Sequence, residues 1–244
     1  MSTPRFLQQG DHGLVVEFGQ QIHPELVEQV RTLMIALREN PLPGILETIP
    51  TYRSLLVRYD PLRITVQALQ HHIEDLLQQE KQQIAPAFVT EIPVCYGGTW
   101  GPDLEQVAVH AQKSVQEVIA FHTSADYLIY MLGFTPGFPY LGGLPREIAC
   151  PRLATPRTAV PAGSVGIAET QTGIYPMVSP GGWQIIGRTP LRLFDPGKKD
   201  PVLLQAGDYL RFKSVTEEEY VEIALKVEQN RYVVKKTPKG GSLE

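Results

Sequence analysis

The chain has 244 residues, of which 43% are hydrophobic and 20% are charged. Division by about 150 residues per domain gives roughly one and a half domains, which is enough for a substantial core without disulfide or metal support. With a net charge of −4, the protein has no overall positive electrostatic potential. We therefore expect neither nucleic acid nor an anionic membrane as a partner.

The two cysteines, Cys95 and Cys150, stand far apart in the sequence, which is typical of a reduced compartment rather than of a disulfide framework. The N-terminus lacks a charged start followed by an apolar stretch, so no signal peptide is predicted. No apolar run approaches the roughly 18 residues of a membrane span. These features predict a cytoplasmic protein without a membrane segment.

Residues 1–85 are predicted to form a small α/β domain. Short apolar segments beside turn signals indicate strands, and apolar positions spaced by three and four indicate helices. The predicted elements are the strands Arg5–Gln9 and Leu14–Phe18, a helix from Ile22 to Leu37, the strands Ile45–Ile49 and Leu55–Tyr59, and a helix from Val66 to Leu77. The order ββαββα favours a sandwich with both helices on one face of an antiparallel sheet. A linker, Gln78–Gln83 with Ala85–Ala87, is predicted to follow.

Residues 89–230 are predicted to form a larger, β-rich domain. It begins with a strand, two short helices and a second strand: Glu91–Tyr96, Pro102–Ala111, Val115–Thr123 and Tyr127–Leu132. Residues 133–190 then hold 10 of the 21 glycines and 9 of the 21 prolines, and short apolar pieces between such corners favour a small barrel or sandwich. Thr216 is the predicted N-cap of a closing helix. Residues 231–244 are predicted to be a tail, within which Arg231–Lys236 is either a last strand or part of the tail.

The common catalytic and cofactor motifs are missing from the sequence. There is no phosphate loop of the form G-x-x-x-x-G-K-[ST], no G-x-S-x-G nucleophile turn, no HExxH and no CxxC. The six histidines are not spaced as metal ligands, so no metal site is predicted. Residue spacing alone assigns no catalytic residue.

One dense stretch, Gly133–Leu144, combines four glycines and two prolines with the aromatic residues Phe134, Phe138 and Tyr140. A loop of this composition presents large side chains on a backbone that a ligand or partner approaches closely. The alternative is a tight corner of the barrel whose aromatic rings belong to the core. The sequence leaves both interpretations open.

Two arginines and several amide or aromatic side chains are further candidates. Arg157 and Arg188 are suited to bidentate binding of a carboxylate or phosphate, although a lone arginine is more often a solvated surface residue. Gln171 offers an amide donor and acceptor. Tyr175 and Trp183 would form flat apolar walls, or simply pack the barrel.

His122 and Ser164 complete the set of candidates. His122 ends a predicted helix, where it is either an acid–base group or a cation at the helix C-terminus. Ser164 lies in the string Val160–Val165, next to the glycine that precedes it. With the aromatic residues, arginines and Gln171, these two define the predicted groove for a substrate or partner.

Five longer strings carry a family resemblance: Glu91–Gly98, Gly133–Gly143, Val160–Val165, Gln171–Pro176 and Ser179–Pro190. They resemble the allophanate hydrolase subunit 1 family, and the likeness extends to Pro43-Gly44, Glu47 and Ile49-Pro50 in the first domain. The family includes the B subunit of bacterial ATP-dependent 5-oxoprolinase and a sporulation-kinase inhibitor of bacilli. The resemblance implies an α+β protein, in which a small N-terminal α/β sandwich (ββαββα) precedes a cyclophilin-like β-barrel.

The resemblance also implies partners and a reaction. The chain would work beside the A and C subunits of 5-oxoprolinase, and together they would open the lactam of 5-oxoproline to glutamate with hydrolysis of ATP. Because this sequence has no phosphate loop, we expect ATP to be used by the complex and not by this chain alone. Arg157 or Arg188 would hold the carboxylate of the substrate, and Gln171 or backbone N–H groups near Gly181-Gly182 would polarise the lactam oxygen.

Two other functions remain open at this point. In the inhibitor hypothesis, the same groove takes a segment of a histidine kinase and blocks autophosphorylation. In the third hypothesis, the chain has a structural role and only completes the active site of a partner.

Overall fold

The computed structural model describes residues 4–21, 23–78 and 87–240, and the chain divides into two compact units, Met1–Pro86 and Ala87–Glu244. Ile22, most of the predicted linker and the last four residues of the predicted tail lie outside the described residues. None of the described helices is long and apolar enough to cross a membrane.

The first unit follows the predicted order of elements. It contains β1 (Arg5–Gln9), β2 (Gly13–Glu17), α1 (Pro24–Glu39), β3 (Ile45–Pro50), β4 (Ser54–Tyr59) and α2 (Val66–Gln78). The strands form one antiparallel sheet in the order β1-β2-β4-β3. The apolar spacing of α1 buries Val30, Leu33 and Leu37 in the same core as Leu69 and Ile73 of α2, so the predicted ββαββα sandwich is confirmed.

Within the described residues, the second unit contains ten strands, three α-helices and one 3-10 turn. In chain order its elements are β5 (Phe88–Tyr96), α3 (Leu104–Ala111), α4 (Val115–Thr123), β6 (Asp126–Leu132), β7 (Pro139–Gly142), a 3-10 turn (Arg146–Ile148), β8 (Arg157–Val160), β9 (Ser164–Ala168), β10 (Gln171–Ile174), β11 (Ser179–Gly181), β12 (Gln184–Arg188), β13 (Tyr209–Ser214), α5 (Glu217–Glu228) and β14 (Lys236–Pro238).

Seven of these strands close into a barrel. The order is β12-β9-β10-β7-β6-β13-β5, and β5 returns to β12 through the pairs Gly187↔Tyr96 and Arg188↔Cys95. The β13–β5 pair is parallel, whereas the neighbouring barrel pairs are antiparallel. Closure leaves none of the seven strands at an edge, and it confirms the predicted cyclophilin-like barrel.

Three short β segments lie outside the closed ring. β8 and β11 form a two-stranded ribbon. β14 pairs with the first half of β5 through Lys236↔Thr90, Thr237↔Val89 and Pro238↔Phe88. Part of the stretch predicted to be a tail therefore contributes a strand, which lies at Lys236–Pro238 rather than at the predicted Arg231–Lys236.

Side chains along the barrel strands point alternately to the inside and the outside of the barrel. Val165 and Ile167 of β9 belong to the main core of the unit, together with Ile92 and Val94 of β5. Ala168 belongs instead to a second, smaller cluster of buried side chains. Because successive residues of a strand point to opposite faces, the barrel wall carries one apolar core inside and one apolar face outside.

The N-termini of two helices are fixed by local sequence. The side chains of Ser114 and Thr216 each accept a hydrogen bond from the backbone N–H three residues on, at 3.2 Å. The backbone N–H groups of the same two residues donate to the carboxylates of Glu117 and Glu219 at 2.8 Å. The predicted N-cap at Thr216 is confirmed, and both helices begin with a capping box.

Gly101 allows the chain before α3 to lie against the barrel. A Cβ at this position would overlap the backbone carbonyl of Ile186. We expect Gly101→Ala to lower the free energy of unfolding of the barrel unit by about 1–3 kcal/mol, because the backbone must shift to relieve the overlap. Gly197→Ala is the matched control, since its Cβ would lie 3.3 Å from one flexible side-chain atom, Asp195 Oδ1.

Urea unfolding followed by tryptophan fluorescence is the measurement for this pair, because Trp100 and Trp183 both lie in the barrel unit. Equal unfolding midpoints for the two variants would show that the close approach at Gly101 is not a constraint.

Candidate functional site

The outer face of the barrel carries a cluster of aromatic side chains. Phe138 lies at its centre, with ring centroids of Tyr140, Tyr175 and Trp183 at 5.2, 5.6 and 5.7 Å, all in edge-to-face geometry. Phe138, Tyr175 and Trp183 are buried, and Tyr140 is half-buried. Edge-to-face pairs of this kind add to the stability gained from burial alone, so this cluster, the aromatic face, is a firmly packed group of side chains.

Glycines let the rings lie directly on the strand backbone. A Cβ at Gly173 would lie 3.0 Å from Trp183 Cζ3 and 3.2 Å from Phe138 Cζ, and one at Gly181 would overlap the ring of Tyr175. Gly173 and Gly181 therefore allow the aromatic rings to pack closely against the strands. Phe138, Tyr175 and Trp183 are packed residues of the barrel, as the second of the two interpretations predicts.

Phe134 differs from the other aromatic residues because it is 67% exposed. Its backbone is in the left-handed region, at φ +66°, which is rare for a bulky residue and costs on the order of 1–3 kcal/mol. A tight turn holds it there: Thr135 N–H donates to Gly133 O at 2.8 Å, and Gly133 N–H donates to Phe138 O at 3.1 Å. The loop thus presents Phe134 at the edge of the aromatic face, where its ring centroid lies 5.7 Å from that of Phe138.

Arg157 is already bound to a carboxylate of the same chain. Its Nη2 donates to Asp103 Oδ1 at 2.7 Å, and Asp103 Oδ2 accepts from Ile185 N–H at 2.6 Å. Asp103 is buried, and its own N–H donates to Ile185 O at 2.9 Å. Arg157 therefore ties α3 and β8 to β12, and its guanidinium is already engaged by an acid of the same chain, while its role as a carboxylate clamp stays a prediction.

Arg188 has different surroundings. Its guanidinium carbon lies 5.4 Å from the ring centroid of Trp100, and no carboxylate in the described part of the chain pairs with it. Within the same residues, Arg188 Nε, Trp100 Nε1 and Ser164 Oγ are buried and have no hydrogen-bond partner. Arg188 and Ser164 are directly opposite on β12 and β9, so the structure brings these two predicted residues together.

Gln171 is half-buried at the start of β10 and pairs with Ala168, the last residue of β9. Arg188 pairs with Ser164, the first residue of β9. At about 3.3 Å per residue the two pairing positions are about 13 Å apart along the strand. The structure therefore places Gln171 and Arg188 at opposite ends of β9 and not in one contact group.

His122 lies inside the unit, away from the aromatic face, in a chain of hydrogen bonds. Its Nδ1 is 2.7 Å from Tyr96 Oη, its Nε2 is 2.9 Å from Thr172 Oγ1, and Thr172 Oγ1 donates to Gly166 O at 3.0 Å. With the hydroxyl proton of Thr172 on Gly166 O and the imidazole neutral, the Nε2–H of His122 donates to Thr172 and Tyr96 donates to Nδ1. The ring stacks on Phe212, with the two centroids 4.3 Å apart.

Burial keeps this histidine neutral. It is fully buried, and burial lowers the pKa of His122 from 6.5 to about 3. Burial also raises the pKa of Tyr96, so both groups stay uncharged near neutral pH. The interpretation of His122 as a cation at a helix C-terminus is wrong, and its full enclosure separates it from an open groove.

Sequence reasoning missed several residues that organise this unit. Asp103 directly follows a Gly-Pro pair at the start of a predicted helix, yet its side chain makes no cap bond and binds residues 54 and 82 positions away. Tyr96, Thr172 and Trp100 are not among the predicted site residues. They have no local signal, because their partners come from distant strands.

No group of three or more His, Cys, Asp or Glu within the described ranges has a geometry suited to a metal ion.

Comparison with known proteins defines the family. The family model of the carboxyltransferase domain, subdomain C and D, matches residues 4–204, and the chain belongs to this family. It is 44% identical to the B subunit of 5-oxoprolinase from Bacillus subtilis (strain 168), over 87% of this chain and 93% of that protein. It is 42% identical to the B subunit of 5-oxoprolinase from Escherichia coli O157:H7, over 83% of this chain and 92% of that protein.

A solved structure supports the fold. The crystal structure of the protein TTHA0988 is 37% identical and superposes with a TM-score of 0.75 over 83% of this chain. This chain spans 40% of the length of that one. The family resemblance drawn from the sequence strings is confirmed.

The Asp103–Arg157 pair generates a testable prediction. We expect Asp103→Asn to destabilise the barrel unit by about 2 kcal/mol, because it removes a charged acceptor from a half-buried guanidinium and a buried N–H. The double variant with Arg157→Gln is expected to lose less than the sum of the two single variants. Glu222→Gln, which breaks the exposed Lys226 pair, is the control and should change stability by no more than about 0.5 kcal/mol. Strict additivity in urea unfolding would contradict the coupling.

The buried histidine generates a second prediction. The unfolded chain binds a proton at His122 near pH 6.5 and the folded chain only near pH 3. The stabilisation is therefore complete above about pH 6.5 and is lost as the pH falls toward 3, by at most about 1.4 kcal/mol per pH unit. In His122→Gln this component should be absent, so its unfolding free energy should fall less steeply over that window.

His110→Gln is the matched control, because His110 is an exposed histidine of α3 in the same unit. Its pH profile of unfolding, followed by tryptophan fluorescence, should parallel that of the unmodified chain. Parallel profiles for all three proteins would refute the assignment of a buried neutral imidazole.

Proposed function

We propose that the chain is the B subunit of a bacterial ATP-dependent 5-oxoprolinase, which acts in the cytoplasm with the A and C subunits to convert 5-oxo-L-proline to L-glutamate. The observation that carries this proposal is the 44% and 42% identity to proteins named as this subunit, over more than nine-tenths of their lengths. The two alignments cover 87% and 83% of this chain, so they include both units and not the barrel alone.

The reaction defines what a binding subunit must supply. The substrate is a planar lactam that carries one carboxylate, and opening its amide bond with ATP requires that the lactam oxygen be oriented and activated. A guanidinium binds a carboxylate by two parallel hydrogen bonds and fixes its plane. We assign ATP to the complex as a co-substrate, and to this chain the task of binding and orienting the lactam beside its partners.

Arg188 is the group in this chain best suited to hold the carboxylate. It is half-buried, stacks on Trp100, and pairs with no acid among the described residues, whereas Arg157 is neutralised by Asp103 at 2.7 Å. Stacking on an aromatic face fixes the guanidinium plane, which reduces the entropy lost when a carboxylate binds. Phe134, which is 67% exposed at the edge of the buried aromatic face, supplies an apolar contact of the same unit for substrate or a partner protein.

Reconstitution tests the proposal. The A and C subunits are assayed for 5-oxoproline-dependent ATP hydrolysis and glutamate formation, with and without this chain. We expect turnover only when all three proteins are present. Turnover by the two partners alone at the same rate would overturn the proposal. So would the absence of turnover together with inhibition of histidine-kinase autophosphorylation, which is the outcome that the inhibitor hypothesis predicts.

Arg188→Lys in the reconstituted complex tests the carboxylate assignment. Lysine keeps the charge but loses the bidentate geometry, so we expect KM for 5-oxoproline to rise by about tenfold or more, a loss of about 1.4 kcal/mol in binding. Arg63→Lys, an exposed arginine of the first unit, is the control and should leave KM unchanged. An unchanged KM in Arg188→Lys would remove Arg188 from the site while leaving the assignment of the whole chain intact.

A further inference from the structure

A cleft of about 470 Å³ opens on the barrel unit, formed by residues separate from the aromatic face and from Arg188. One wall is the loop that follows β12, and the other is the end of α5 with the segment after it. The lining residues are Leu191, Arg192, Lys198, Leu203, Val227, Asn230, Tyr232 and Val234. Small-molecule sites in proteins occupy about 300–1,000 Å³, so the cleft is large enough for a ligand of modest size.

The floor of the cleft is apolar and rests on the barrel core. Leu191 belongs to the core itself, and Leu203, Val227, Tyr232 and Val234 are partly buried and pack against it. Such a floor is already ordered before a ligand arrives. An apolar or aromatic body placed on it would gain burial without the cost of ordering side chains.

The rim of the cleft is positively charged. Arg192 and Lys198 are both exposed, and no aspartate or glutamate is among the lining residues. Across the described chain, Arg192 makes no ion pair within 4.0 Å, and the pair of Lys198 with Asp195 spans 3.9 Å. The other carboxylate oxygen of Asp195 accepts from Gly197 N–H at 3.1 Å, so this side chain stabilises the turn in which it lies.

Backbone hydrogen bonds hold both walls in place. In the first wall Leu203 N–H donates to Leu193 O at 2.9 Å, and Asp195 N–H donates to Pro201 O at 2.8 Å. In the second wall Lys226 O, near the end of α5, accepts from the N–H groups of Arg231 and Tyr232 at 2.8 and 3.2 Å. These two bonds hold the segment after α5 against the end of the helix.

We propose that this cleft binds an amphipathic organic anion: an oxyanion group, phosphate or carboxylate, lies between Arg192 and Lys198, and an apolar or aromatic body lies on the floor around Val227 and Tyr232. Neither half of such a ligand matches the whole cleft, because the two cations lie on the rim and the floor is mainly apolar. The proposal is independent of the 5-oxoprolinase assignment, since it shares no residue with the surface around Arg188.

The test uses isothermal titration calorimetry on the full chain with hexyl phosphate as the probe. We expect hexyl phosphate to bind at least about tenfold more tightly than either inorganic phosphate or 1-hexanol, because each of these supplies only one half of the complementarity. Equal affinity for hexyl phosphate and inorganic phosphate would reveal a non-specific anion contact and overturn the proposal.

Reversing the charge of the two rim residues tests whether the ligand binds in the cleft. The double variant Arg192→Glu with Lys198→Glu should weaken hexyl phosphate binding by about tenfold or more. Arg63→Glu with Arg146→Glu makes the same change in net charge at exposed positions elsewhere and should leave the affinity unchanged. Near-UV circular dichroism checks that each variant is folded. Undetectable binding of hexyl phosphate at millimolar concentration, or equal affinity in both double variants, would overturn the assignment.

Discussion

The barrel unit depends on a directional chain of hydrogen bonds buried between α4 and the strands around it. Tyr96 of β5 donates to His122, His122 donates to Thr172 of β10, and Thr172 donates to a carbonyl of β9. An unpaired polar group at such a depth would cost about 1–3 kcal/mol, which is more than the roughly 0.5–1.5 kcal/mol that a paired one contributes. These bonds therefore favour the observed arrangement of β5, β9, β10 and α4, in which each of the three contacts is made.

This internal constraint is linked to the outer surface through β9 and β12. β9 supplies Gly166, whose carbonyl ends the hydrogen-bond chain and whose Cα side lies against Trp183. β12 supplies Ile185, which is bound by Asp103, and Arg188, which stacks on Trp100. The surface that we assign to substrate binding is therefore carried by strands whose positions are set from inside, as precise sites require.

Local sequence predicted the elements well because their causes are local. The periodicity of α1 and α2, the turn residues between strands and the capping Thr216 act over a few residues, and the ββαββα order of the first unit follows from them. The Gly-Pro density between residues 133 and 190 likewise located the barrel corners. This density grouped Phe134, Phe138 and Tyr140, and the structure packs them with Tyr175 and Trp183, whereas their role in a groove stays a prediction.

The remaining features depend on contacts between distant residues. The Arg157–Asp103 pair joins positions 54 residues apart, and the His122–Thr172 bond joins positions 50 residues apart. Nothing in the neighbourhood of Arg157 distinguishes an arginine held by a buried acid from one open to a ligand. In the same way, His122 ends an ordinary amphipathic helix, and only barrel closure turns it into a buried, neutral group. The parallel pairing of β5 with β13 has the same origin.

The protonation state and tautomer of His122 test this account most directly. Nitrogen-15 NMR of the histidine rings, recorded from about pH 7 down to about pH 4, distinguishes the neutral Nε2–H tautomer, the Nδ1–H tautomer and the imidazolium. The hydrogen-bond chain predicts that His122 keeps the neutral Nε2–H form throughout, since burial lowers its pKa to about 3. An imidazolium that forms near the ordinary histidine pKa of about 6.5, or an Nδ1–H tautomer at neutral pH, would contradict this hydrogen-bond chain.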